Sequence, residues 1–220
     1  MFDLKAEVKN VMQGADEAAW KKERLGFLTA SNAEKACVRL RNGKPGAQYE
    51  ALIWQLIAER ATGIPTDFYV TPEMQWGTDH EEAAAEAFEA ETGKLVSGNG
   101  KIFIKHPEIA YLGASPDRFV GDDALLEIKC PTTLKHLQRV FSREIPPEYK
   151  RQMQVQLLCT GRKFCYFADF DPRLKGGALD KAALLILEYR PTNTELEETL
   201  KLCREFLDDL QNRIETLNAA

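Results

Sequence analysis

The chain has 220 residues, 44% of them hydrophobic, enough to bury one sizeable core, and the expectation is a single domain over 1–220. A formal charge of −5 excludes a general polyanion-binding surface but leaves room for local basic patches that meet nucleic acid. Five scattered cysteines without a C-x-x-C pair disfavour a disulfide framework or a zinc or iron–sulfur site, and no apolar leader or membrane-length run is visible, so a soluble, cytoplasmic protein is expected.

The first third reads as helical. Thr29-Ala30-Ser31-Asn32-Ala33-Glu34 offers a helix start, with Ser31 and Glu34 at capping-box spacing. A polar loop over Leu40–Gln48 leads to an amphipathic helix over Tyr49–Thr62, stopped by Gly63 and Pro65. A longer, alanine-rich helix is predicted over Pro72–Thr92, ended by Gly93. Short strands follow at Leu95-Val96, Ile102–Ile104, Tyr111–Gly113 and Leu125–Cys130, separated by Gly, Asn or Pro, and read as an antiparallel meander. Helices over Thr132–Phe141 and Pro147–Cys159 are broken by Glu144-Ile145-Pro146. Two strands, Phe164–Phe170 and Ala183–Tyr189, precede a closing amphipathic helix over Thr194–Leu217. The order predicts an α/β fold: a restriction-endonuclease-like core with a mixed central β-sheet flanked by helices.

The chemistry concentrates in Gly113-Ala114-Ser115-Pro116-Asp117 and, ten residues on, Glu127-Ile128-Lys129. Phe119-Val120, the turn Gly121-Asp122-Asp123 and the run Ala124–Cys130 read as a hairpin. Side chains alternate along a strand, so Glu127 and Lys129 share one face, while Leu126 and Ile128 take the other. An antiparallel partner strand ending at Asp117 would bring its carboxylate beside that of Glu127. The two repel unless a cation lies between them, and hard divalent ions such as Mg2+ prefer oxygen ligands. A Glu-x-Lys pair alone is most often just a solvated edge. Basic clusters lie at Lys21-Lys22-x-Arg24, Arg39-x-Arg41-x-x-Lys44, Lys135-His136-x-x-Arg139, Lys150-Arg151 and Arg162-Lys163, each of which, taken singly, is an ordinary solvated face. His80, His106 and His136 show no metal-ligand spacing.

Pro116-Asp117 with Glu127-x-Lys129 resembles the PD-(D/E)xK nuclease signature. Wider blocks resemble the lambda-phage exonuclease and YqaJ-type viral recombinase family. These are Trp20 to Ser31, Trp76-Gly77-x-x-x-Glu81, Ala87-Phe88-Glu89-x-x-Thr92-Gly93, Leu126 to Pro131, and Tyr149-x-x-Gln152-x-Gln154 followed by Thr160 and Tyr166 to Arg173. The resemblance implies that Asp117 and Glu127 bind metal with the Ile128 carbonyl, that Glu81 is an additional acid near the metals, and that Lys129 positions or deprotonates the attacking water. It places Arg24, Ser31, Ser115 and Gln152 around the 5′-phosphate of the substrate strand, with Gln152 preferred over Gln154 by register. Trp20, Arg41 and Met74 fall where the family engages or separates strands, although Trp20 and Met74 read equally well as core residues. Arg118 departs from the pattern, standing where the lambda enzyme has glycine.

The implied activity is a Mg2+-dependent 5′-to-3′ exonuclease on linear double-stranded DNA, with two ions per site and Mn2+ able to substitute. It would release 5′-mononucleotides and leave 3′ overhangs for annealing-type recombination. A ring-shaped homotrimer, a single-strand annealing protein as partner and a phage or prophage origin follow from the same resemblance. The rivals are a PD-(D/E)xK endonuclease or repair nuclease, and a non-catalytic DNA-binding recombination scaffold.

Overall fold

The computed structural model describes residues 17–66 and 71–219. Along the chain, α1 (Glu17–Glu23), β1 (Leu28–Thr29), α2 (Ala33–Cys37), α3 (Tyr49–Thr62) and α4 (Pro72–Thr92) precede β2 (Val96–Ser97), β3 (Ile104–Lys105), β4 (Leu112–Ala114) and β5 (Arg118–Val120). Then come β6 (Ala124–Lys129), α5 (Thr133–Ser142), α6 (Pro147–Thr160), β7 (Phe164–Phe170), β8 (Leu184–Tyr189) and α7 (Asn193–Asn218).

Helix ends follow local chemistry. The Thr71 hydroxyl accepts from the Met74 N–H at 3.2 Å, Pro72 opens α4, and Gly93 closes it in the left-handed region at φ +68°. The capping box expected at Ser31 and Glu34 does not form. Ala30–Asn32 is a 3-10 turn, α2 starts from Asn32 without a side-chain cap, and the Ser31 hydroxyl instead shares a 3.1 Å hydrogen bond with Thr29 Oγ1.

The expected single sheet is two. A five-stranded sheet has the order β2-β5-β6-β7-β8, with β6 and β7 parallel and the other neighbours antiparallel. A three-stranded sheet has the order β1-β4-β3, with β1 parallel to β4. The meander is therefore broken: β3 and β4 pair with each other, while β2 pairs with β5. Nor is the first third wholly helical, since Leu28-Thr29 joins Leu112-Gly113 from far along the chain. Both sheets are mixed and flanked by helices, as the fold class requires.

β6 is flanked by strands on both edges, and Ala124 to Ile128 are buried. Leu126 and Ile128 pack with Ala84, Ala85 and Phe88 of α4. Leu125, on the opposite face, packs with Met153 and Leu157 of α6. α6 also contributes Val155 and Cys159 to a second core built on the small sheet and α2, α3 and α7. A helix wedged between two layers buries most of its circumference, so its polar side chains need internal partners. That constraint builds the site.

At Gly113 a Cβ would stand 2.3 Å from Cζ of Phe103, so only glycine lets that ring lie over β4. The ring meets Phe27 edge-on at 5.1 Å, anchoring the strand that delivers Ser115-Pro116-Asp117. No helix among the described residues is long and apolar enough to cross a membrane.

Candidate active site

The predicted hairpin forms, with Arg118 opposite Leu126 and Val120 opposite Ala124. Asp117 lies just before β5, and its Oδ2 accepts the Ile128 N–H at 2.7 Å, which fixes the carboxylate beside β6. Glu127 and Lys129 share a face, and the Lys129 ammonium ion-pairs with Glu127 Oε1. Glu127 is wholly buried, so its charge must be matched inside the protein. Two side chains one helical turn apart on α6 do so. Gln152 Nε2 donates to Oε1 and Gln156 Nε2 donates to Oε2, each at 2.6 Å. Gln154 points elsewhere, donating to the Tyr189 hydroxyl at 2.6 Å, so of Gln152 and Gln154 it is Gln152 that reaches the acids.

The third acid, Glu81, is held by a residue that reads in the sequence only as a departure from a pattern. The buried Arg118 guanidinium donates to Glu81 Oε1 at 2.6 Å, to Glu82 Oε2 at 3.0 Å and to the Asp117 carbonyl at 2.7 Å. Arg118 followed Asp117 in sequence, and Glu81-Glu82 gave it two acids; only the fold shows that they meet. Gln156 likewise carried no signal beyond the Gln-x-Gln-x-Gln repeat.

Electrostatics mark the cluster. Asp117 sits at a cavity floor, closely surrounded by protein, and burial, with repulsion from Glu127 and Glu81, pushes its carboxyl well above the usual range. Burial works to lower the Lys129 pKa, but Glu127 and Asp117 outweigh it and hold the ammonium above its ordinary value. Among the described residues no three acidic, imidazole or thiol side chains form a ready-made metal cage. Glu81 is engaged by Arg118, and Glu127 by Lys129 and two glutamines. The donor set nonetheless suits a hard divalent ion. It is all oxygen, and burial together with repulsion between its acids raises the Asp117 carboxyl, a cost that a cation would relieve. Glu127 Oε1 already accepts from Lys129 and Gln152, so a cation there exchanges one of those contacts.

Two cavities meet at these acids. One of about 540 Å³ is lined by Met74, Trp76, Lys129, Lys135, Tyr149 and Arg173, among others. One of about 300 Å³ is lined by Trp20, Arg24, Ser31, Lys101, Ser115 and Gln152, among others. Thr78, Glu81 and Asp117 belong to both and form the waist between them. In the smaller cavity the Trp20 Nε1–H donates to Ser115 Oγ at 3.0 Å, and the Arg24 guanidinium lies 4.2 Å over the Trp20 ring. Burial lowers the Arg24 pKa to about 10, still cationic at neutral pH. Trp20 is thus a wall of this cavity, and Met74 is exposed on the rim of the larger one. Arg41 is exposed in the loop after α2 and lines neither cavity.

Behind Lys129 is a further network absent from the sequence reading. The Lys129 ammonium and the Arg139 guanidinium lie 4.9 Å and 5.1 Å from the centre of the Tyr149 ring. Arg139 pairs with buried Asp169, which also takes His136 Nδ1 at 2.5 Å, while His136 Nε2 meets the Ala182 carbonyl at 2.5 Å. Both ring nitrogens face acceptors. Burial works against the charged imidazole, but these partners raise its pKa.

Residues 19–163 match the model of the YqaJ-like viral recombinase domain. The chain belongs to this family. A YqaJ relative, the uncharacterized protein YqaJ of Bacillus subtilis (strain 168), is 30% identical over 118 residues, covering 52% of this chain and 36% of that protein. The chain thus spans only about a third of that relative's length. Among solved structures, the alkaline exonuclease LHK-Exo of Laribacter hongkongensis is 34% identical with a TM-score of 0.82, covering 92% of this chain and 96% of that one. The same enzyme in complex with dAMP matches with a TM-score of 0.83. A phage-related exonuclease from Haemophilus somnus 129PT is 14% identical with a TM-score of 0.56, covering 86% and 96% of the two chains, and shares the fold. This YqaJ-like chain therefore has the expected restriction-endonuclease-like fold.

Proposed function

We propose that this protein is a Mg2+-dependent exonuclease that degrades one strand of linear double-stranded DNA from its 5′ end. Its products would be 5′-mononucleotides and a 3′ overhang. The family and the near-full-length likeness to an alkaline exonuclease support a nuclease. The observation that carries the reading furthest is the waist: Asp117 and Glu81 lie where a smaller cavity meets a larger, partly aromatic one lined by Ile128 and Lys129, whose ammonium pairs with buried Glu127. A strand threaded through both would end in the small cavity and present a phosphodiester at the acids.

Asp117, Glu127, Glu81 and the Ile128 carbonyl would hold the metal. Two bound Mg2+ ions, or Mn2+ in their place, would supply Lewis-acid stabilisation of the charge that develops on the phosphate during in-line displacement. Gln152 and Gln156 hold the Glu127 carboxylate oxygens in place, and Arg118 keeps Glu81 beside Asp117. Lys129, held as an ammonium, acts as a charge and donor that orients the attacking water rather than as a base. Arg24 can bind a terminal phosphate through its fork, assisted by the Ser31 and Ser115 hydroxyls and the Gln152 amide. Trp20 would support the end, with Met74 and Arg41 engaging the duplex farther out. On the same resemblance, the protein would work in the cytoplasm as one domain per chain, in a homotrimeric ring around DNA and with a single-strand annealing protein.

Incubation of linear and covalently closed circular duplexes with Mg2+ and with EDTA tests the reading. Mononucleotides are expected from the linear duplex only, and only with metal. Cutting of intact circles would replace the reading with an endonuclease, and inertness toward both with Mg2+ and Mn2+ would replace it with a scaffold.

A further inference from the structure

The larger cavity sets three cations, Lys129, Lys135 and Arg173, against three acids, Glu73, Glu81 and Asp117. Lys129 is committed to Glu127, which leaves Lys135 and Arg173 to meet an anion there. Arg173 is fixed in place. The buried Asp171 carboxylate accepts from its backbone N–H at 3.0 Å, from Nε at 2.7 Å and from Nη2 at 2.9 Å, and Nη2 also donates to the Pro131 carbonyl at 3.2 Å. The guanidinium lies 4.4 Å over the Trp76 ring. None of these bonds uses Nη1, and the side chain is still 45% exposed.

Lys135 is held differently. It stands in the first turn of α5, exposed and without a hydrogen bond to a described residue. The two side chains divide the work of binding a phosphodiester. The charge of Arg173 is balanced by Asp171, so its contribution is direction: a guanidinium already fixed in one geometry loses little further entropy when it donates to a phosphate oxygen. Lys135 supplies charge without demanding a geometry. Pro131 lies two residues beyond Lys129, so the bond to its carbonyl also ties the Arg173 guanidinium to the end of β6 that presents Glu127 and Lys129.

We propose that Arg173 and Lys135 form a phosphodiester subsite for the strand inward of the linkage being cut, and that this subsite holds the uncut strand in register with β6. The inference rests on the proposed function, in which the strand runs from the larger cavity to an end in the smaller one. A strand held on both sides of the acids is kept from sliding, which presents one linkage at a time to Asp117 and Glu81.

The test is binding to the end of a linear duplex, with Ca2+ in place of Mg2+, read by fluorescence anisotropy. A single uncharged methylphosphonate linkage is walked inward from the 5′ end, and wild type is compared with Arg173→Gln and Lys135→Gln. Wild type is expected to lose about tenfold in affinity when a linkage inward of the first is neutralised. Each variant is expected to bind the unmodified duplex more weakly and to be nearly indifferent to that same linkage, because the partner of the missing charge is already gone. Should Arg173→Gln fail to fold, Lys135→Gln decides, since that side chain is exposed. Variants as sensitive as wild type at every linkage overturn the subsite and leave the proposed function standing. A wild type that binds no duplex end overturns the proposed function and the inference with it.

Discussion

Burial, with Glu127 and Glu81 close by, pushes the Asp117 carboxyl well above the usual range, so the metal-free folded protein keeps a proton that the unfolded chain releases near pH 4. For an acid whose folded pKa is raised, the stability contribution is fully present below about pH 4 and is lost as pH climbs through the folded value. Asp117→Asn cannot ionise and retains an oxygen for the Ile128 N–H. In EDTA at pH 8 it is expected to melt above wild type by at least ~2 °C, with the gap closing toward pH 4. Equal melting temperatures at both pH values would contradict the charge imbalance. Lys129 is the complementary case. Its ammonium touches Glu127 and has no other visible structural task than to pack over Tyr149. Lys129→Ala should lower kcat by about 10³ while DNA-end binding stays within a few-fold, measured by single-turnover digestion and fluorescence anisotropy.

At the scale of elements, α6 couples the core to the chemistry. Its apolar residues face two layers, so Gln152 and Gln156 are carried inward and find Glu127. Gln156→Leu keeps the volume roughly constant and removes one charge-assisted hydrogen bond from a buried carboxylate. Mn2+ affinity, titrated by electron paramagnetic resonance, is expected to weaken about tenfold. Unchanged affinity would mean that Gln156 serves packing alone. This element also shows where sequence reading stops. The bounds of α3 and α4 were legible because proline and glycine punctuate them. β1 was not, because a two-residue strand carries no periodicity and this one exists only through a partner far along the chain. Ser31 looked like a cap because its spacing to Glu34 fits one, but the chain turns tightly there and the hydroxyl faces Thr29 and Arg24. The Asp117, Glu127 and Lys129 grouping was legible because a hairpin imposes it. The Arg118 clamp on Glu81 needed the packing of α4 against the sheet, which no local pattern encodes.

For the whole molecule, a net charge of −5 coexists with a cavity that gathers Arg24 and Lys101 and a second one that gathers Lys129, Lys135 and Arg173. In the proposed reading, the cations gathered at the two cavities would meet the DNA backbone and make binding depend on salt. Glu81 and Asp117 lie at the waist of the two lobes, and the proposed reading seats the 5′ end in the smaller one. Direction is most directly measured on a linear duplex carrying a label on the 5′ end of one strand or, separately, on its 3′ end, digested with Mg2+ and sampled over time. The 5′ label should leave first, as a mononucleotide, while the 3′ label persists in long strands. Early release of the 3′ label, or internal fragments before either end is lost, would contradict an end-directed 5′-to-3′ nuclease.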